Sequence, residues 1–185
     1  MRIAIAFILA VGVLIATVLM SAGALGQTQP GGRSLVIPTT PQSLQTEHKA
    51  IHDALTAATQ APGRVGVAAK ELAAVLSPHF KREDEIALPP LGLLAPLAAG
   101  PKPAGIEQTL AMTDALRKEL PQMLKEHQQI RAAAERLRTA AREEKLLVHE
   151  QFAEDLALHA RTEEEVLYPA AILVGEIIRT RMGQK

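Results

Sequence analysis

The chain has 185 residues, 20 basic against 20 acidic, 48% hydrophobic residues and no cysteine. That length holds one ordinary domain with a real core, and the balanced charge gives no electrostatic footprint for nucleic acid. The missing cysteines exclude disulfides, thiolate catalysis, cysteine-type zinc sites and a lipid-modified cysteine, so any metal here must be held by imidazole and carboxylate.

Arg2 followed by the apolar run Ile3 to Met20 reads as a targeting segment. Ala22-Gly23-Ala24 and Ala24-Leu25-Gly26 are candidate peptidase sites, while the run also reaches the roughly 18 residues that can span a bilayer. Residues 1–26 are therefore expected to be a signal peptide, with an N-terminal membrane anchor as the alternative. Either places the folded part in a periplasmic or other extracytoplasmic space, touching a membrane only through an uncleaved N-terminus. Residues 27–40, rich in Gly, Pro, Ser and Thr, are expected to be a flexible linker, and residues 41–182 the folded domain.

Thr40-Pro41 is a helix start, a capping hydroxyl followed by proline at the first helical position. Leu44, His48, Ile51 and Leu55 then share one helical face, which ends before Ala61-Pro62-Gly63. A second helix carries His79 and Glu83, with Pro78 expected to kink it. The stretch Pro89 to Gly105, with five prolines and three glycines, is a connector. Pro121 is expected to divide a preliminary segment, Ile106 to Leu120, from the helix that carries His127. A polar turn at Arg142 to Lys145 leads to the helix carrying His159 and Glu163, and a short apolar helix, Ala170 to Ile178, is expected beyond Pro169. The composition, mostly Ala, Leu, Val and Ile with few aromatics, favours helices, and the two hairpins make an all-α, up-down-up-down four-helix bundle the expected fold.

The informative feature is a repeat. A lone His followed some thirty residues later by His-x-x-x-Glu occurs twice, as His48, His79 and Glu83 and again as His127, His159 and Glu163. The lone histidines stand 79 residues apart and the paired ones 80. Glu47-His48-x-x-Ile51 returns as Glu126-His127-x-x-Ile130, and Leu72, Leu76, Leu88 and Pro89 return as Phe152, Leu156, Tyr168 and Pro169. Residues four apart on a helix differ by about 6 Å along the axis and about 40° around it, so each His-x-x-x-Glu offers an imidazole and a carboxylate from one face. In an antiparallel hairpin, residues equidistant from the turn lie side by side, which brings all six to one level. Duplicated imidazole and carboxylate at fixed register suits a two-metal site.

The pattern His, His-x-x-x-Glu, His, His-x-x-x-Glu on four helices resembles the hemerythrin-like, or HHE cation-binding, family over roughly Leu44 to Pro169. The resemblance implies a non-haem di-iron centre that binds dioxygen or responds to oxygen, nitric oxide, peroxide or iron. It makes His48, His79, His127 and His159 terminal ligands, and Glu83 and Glu163 bridges, with an oxo or hydroxo group also bridging the two iron ions. Two six-coordinate irons then keep two open positions. His52, one turn after His48, is a candidate fifth imidazole that would leave one; its counterpart in the second repeat is Arg131.

Other residues have plainer expectations. Asp84, Glu85, Glu164 and Glu165 are expected to be solvated or to lie behind the ligands, and Glu47 and Glu126, about 100° from the ligand face, to lie on the helix surface. Phe80, Phe152 and Tyr168 are expected in the core, with Tyr168 a weaker candidate for a hydrogen bond near the metals. The leading functional expectation is a metal protein that binds dioxygen or senses or buffers a small oxidant. The competing ones are a di-iron oxidoreductase acting on peroxide, nitric oxide or ferrous iron, and a zinc or manganese binding module; a redox or signalling partner is not legible.

Overall fold

The computed structural model describes residues 38–100 and 105–183. The signal or anchor segment and most of the expected linker lie outside them. Among the described residues no helix is long and apolar enough to cross a membrane.

Helix α1 (Gln42–Thr59) and α2 (Gly63–Ile86) form a hairpin. After a 3-10 turn (Pro89–Leu93) and a short helix α3 (Leu94–Ala99), the chain enters α4 (Ile106–Glu143). Helix α5 (Leu147–Thr162) completes the second hairpin and runs through a π-helical turn (Glu163–Leu167) into α6 (Tyr168–Met182). Helices α1, α2, α4 and the α5–α6 rod are the four members of an all-helical bundle. Interhelical ion pairs record the antiparallel register of α2 and α4: Arg136 Nε lies 3.2 Å from Glu71 Oε2, Arg82 Nε lies 2.7 Å from Glu119 Oε2, and Arg64 pairs with Glu143.

Three boundaries differ from the expectation. Helix α1 starts one residue late, with Pro41 rather than Thr40 at its cap and no side-chain cap bond. Pro121 does not divide its helix. Both it and Pro78 are exposed inside continuous helices, as are the carbonyl-bearing residues Ala74 and Arg117 four positions before each proline. Water can therefore take over each carbonyl that loses its N–H partner, and one missing bond does not break a long helix. Finally, the segment after Pro169 is no separate helix but the continuation of the fourth one.

The start of α2 is finished by the opposite hairpin. Glu144, in the second turn, accepts a hydrogen bond of 2.8 Å from the backbone N–H of Arg64. A carboxylate there satisfies a free helical N–H and meets the positive end of the helix dipole. Gly63, at φ +69°, lies against that same carboxylate, where a Cβ would stand 2.8 Å from Glu144 Oε1.

Two of the three apolar clusters among the described residues flank the ligand layer. One packs Leu55, Leu72, Leu76, Ile130, Leu137, Phe152 and Leu156 toward the hairpin turns, and the other packs Ile86, Leu88, Leu116, Met123 and Tyr168 toward the opposite end. The histidines and glutamates fall between them on each helix, after Leu76 and before Ile86 on α2, and between Met123 and Ile130 on α4. A polar layer is thus sealed between two greasy ones, where it is costly unless its groups are partnered.

Candidate metal centre

Six of the seven expected ligands converge. His79, Glu83, His127 and Glu163 form one buried group and His48, His159 and Glu163 a second, with the donor atoms in each within 4.8 Å of one another. Glu163 joins both: its Oε1 lies 3.1 Å from His159 Nε2 and 3.4 Å from His48 Nε2, while its Oε2 lies 3.4 Å from His127 Nε2. Two oxygens facing different imidazole sets is the arrangement of a carboxylate shared by adjacent cations. Glu83 Oε1 lies 3.2 Å from His79 Nε2 and 3.8 Å from His127 Nε2.

These atoms fit a metal. His48 Nε2, His159 Nε2, Glu83 Oε2 and both oxygens of Glu163 are buried without a hydrogen-bond partner. Orphaned buried polar atoms are few in native proteins because each forfeits its hydration. Several converging on one point, all imidazole nitrogen or carboxylate oxygen, match the donors preferred by iron, manganese and zinc.

The outward nitrogen of three of the four imidazoles is also hydrogen-bonded. His79 Nδ1 is 2.8 Å from Glu126 Oε2, His127 Nδ1 is 3.0 Å from Glu164 Oε1, and His159 Nδ1 is 3.0 Å from Glu47 Oε1. His48 Nδ1 stands 3.4 Å from Asp84 Oδ1 but makes no hydrogen bond to it. A carboxylate accepting from Nδ1–H holds the proton there and turns the Nε2 lone pair inward. Glu47 and Glu126 are thus not merely surface residues. They flank the ligand face, and their side chains reach across to a histidine on the neighbouring helix. The signal was present in the Glu-His pair that recurs at 47–48 and 126–127.

Without a cation, protons must balance these carboxylates. Burial opposes a charged His127 ring, but Glu163 and Glu83 outweigh it and raise its pKa to about 9. Burial likewise opposes a charged His159, which Glu163 and Glu47 raise to about 9. His79 also moves upward, burial again opposing and Glu83 and Glu126 prevailing. Burial works against ionised Glu163, yet the His127, His159 and His48 rings hold its carboxyl well below the ordinary value. A metal would replace those protons.

His52 does not join either group, which corrects the expected fifth imidazole. Its side chain is 69% exposed and lies nearest Asp53, with Nδ1 3.9 Å from Oδ1. The physical reason is the repeat itself. Arg131, the counterpart of His52, points outward to the carboxylate of Glu164 behind His127, and His52 holds the equivalent outer position, lining a cleft with Asp84, Lys49 and Lys81 that reaches His48.

Tyr168 is fully buried, with its hydroxyl among the ligand atoms. It donates a hydrogen bond to Glu83 Oε1 and lies 3.1 Å from His127 Nε2 and 3.3 Å from His79 Nε2. Burial, then the Glu83 and Glu163 carboxylates, push its pKa upward, so without a cation it is a neutral phenol. Its ring stacks on His127 with centroids 5.5 Å apart, as Phe80 stacks on His48 at 4.4 Å.

No curated protein and no solved structure matches the chain significantly. The family model of the hemerythrin HHE cation binding domain does match, over residues 39–171. That span takes in both hairpins, all the converging histidines and glutamates, and the π-helical turn. The chain therefore belongs to the hemerythrin HHE cation-binding domain family.

Proposed function

We propose that this chain is a non-haem di-iron protein that binds dioxygen, or senses or buffers a related small oxidant, at the buried histidine and glutamate layer. The observation that carries the reading is the shared Glu163, whose two unpartnered oxygens face two separate sets of imidazoles. In this reading His79, His127 and Glu83 would hold one iron and His48 and His159 the other, with Glu163 and Glu83 as the carboxylates that would be shared between them. Bound iron would supply reversible redox chemistry and an affinity for small oxygen species.

The chain's own residues do the rest. Glu126, Glu164 and Glu47 orient the His79, His127 and His159 imidazoles and make them more basic donors. The apolar clusters above and below the layer limit water. The cleft beside His48, lined by Phe80, Leu76, Lys49 and Lys81, gives a small molecule a path to the His48 side. The N-terminal apolar run supports an exported or tethered location for this domain.

The test is metal analysis of residues 27–185, with optical spectra of the reduced protein before air, after air and after degassing. About two irons per chain and a visible band that disappears on degassing would support dioxygen binding. Irreversible oxidation would move the function to a redox enzyme, and loading with zinc alone would overturn the di-iron reading.

A further inference from the structure

We propose that Tyr168 is a direct ligand of the metal held by His79, His127 and Glu83, making the two metal positions chemically different. The inference rests on the two-metal reading above and adds a residue that the histidine and glutamate pattern does not contain.

Three observations carry it. The first is placement. Donors at adjacent corners of an octahedron with bonds of about 2.1 Å stand about 3.0 Å apart. The Tyr168 hydroxyl oxygen lies 3.1 Å from His127 Nε2 and 3.3 Å from His79 Nε2, close to the 3.2 Å between His79 Nε2 and Glu83 Oε1. The phenol therefore stands at a corner of this donor set. A group filling the metal's own place would sit at bond length from the nitrogens.

The second is the backbone that puts it there. Five residues along a regular α-helix turn the side chain about 140° away, so Tyr168 should not share the face of Glu163. The π-helical turn Glu163–Leu167 changes this, with the Tyr168 N–H bonded to the Glu163 carbonyl five residues back. Pro169 helps to maintain the wider turn, since it has no N–H for the carbonyl four residues back and its ring crowds that carbonyl. Such turns recur at functional sites. The shift has a visible cost: Val166, counterpart of the buried Ile86, is 54% exposed.

The third is asymmetry. In the repeat the counterpart of Tyr168 is Leu88, which is buried and apolar. Only one side of the centre thus has an added oxygen donor. On that side His79, His127 and Tyr168 are each no more than 2% exposed, and the cleft bordering His79 is smaller than the one bordering His48 on the other side. Tyr168 would take one of the two positions left after the shared ligands, and the remaining one would face the cleft at the His48–His159 metal. On ligation the phenol O–H bond breaks, an O–metal bond forms, and the proton now donated to Glu83 leaves to solvent. A cation beside the oxygen compensates the negative charge that otherwise disfavours this.

Tyr168 is the only tyrosine, so a phenolate signal has one source. The full chain, loaded with ferrous iron and oxidised in air, is examined by iron counting and resonance Raman spectroscopy alongside Tyr168→Phe. The expected result is phenolate ring modes enhanced within a visible charge-transfer band of the unsubstituted chain and absent from Tyr168→Phe. Iron bound to the unsubstituted chain without phenolate modes would overturn Tyr168 as a ligand and leave the two-metal reading intact. Failure to bind iron would overturn both. The measurement on the unsubstituted chain decides the matter even if Tyr168→Phe does not fold.

Discussion

Glu47 on the first helix accepts a hydrogen bond of 3.0 Å from His159 on the fourth, and its counterpart Glu126 accepts one of 2.8 Å from His79. Each lone-histidine helix thus orients the paired histidine of the other repeat, locking the two halves together across the bundle. Glu47→Gln and Glu126→Gln keep the shape but weaken the acceptor. Each should lower metal affinity by about 10- to 100-fold with little change in folding. Competition against a chelator measures it, and affinity unchanged from the unsubstituted chain in both variants would show that these carboxylates do not act on the metal through the imidazoles.

Glu163 and His52 should behave in opposite ways. Since Glu163 belongs to both donor groups, Glu163→Ala should abolish loading at both positions, whereas His79→Ala should impair mainly one. His52→Ala should leave iron content and optical spectra unchanged, because that ring is exposed and apart from both groups. Loss of iron in His52→Ala would restore it to the ligand set.

Stability of the metal-stripped chain should fall as pH rises. His127 and His159 titrate near 9 when folded, above their ordinary value of 6.5. A raised folded pKa gives stability that is fully present below about pH 6.5 and is lost as pH rises through about 9. Metal affinity should climb over the same window, because each incoming cation displaces protons from imidazole. Urea unfolding and metal titration across this range check both signs, and a stripped chain that becomes more stable toward pH 9 would contradict the assignment.

Gly175 marks where α6 crosses α4. A Cβ there would stand 2.3 Å from Thr113 Oγ1 and 2.9 Å from Thr113 Cβ. Gly175→Ala should therefore destabilise the fold by about 1–3 kcal/mol through overpacking, despite alanine's better helix propensity. Chemical denaturation reads this directly, and a stabilised variant would mean that the helices separate at low cost.

The metal layer was legible in the sequence because it is written twice. His-x-x-x-Glu needs only helical geometry to present two donors on one face, and the duplicated register requires only antiparallel hairpins to bring the sets to one level. The carboxylates behind the histidines were harder to place. Their partners lie on other helices, and an angle measured on one helix cannot show what a flanking glutamate meets on its neighbour. Helix continuity through Pro121 was not legible, because local propensity omits the packing that holds both sides of an exposed proline in line.

By itself, the amino-acid order determined the helical class, the duplicated donor pattern and the exclusion of cysteine chemistry, since these depend on residue type and on spacing within a single helix. Only the tertiary structure decided which carboxylate backs which imidazole, that His52 stays in the outer position of Arg131, and that Tyr168 enters the layer. Those outcomes depend on contacts between helices far apart in sequence and on one widened turn, which rotates everything after Glu163 by an amount that a regular helical count does not contain.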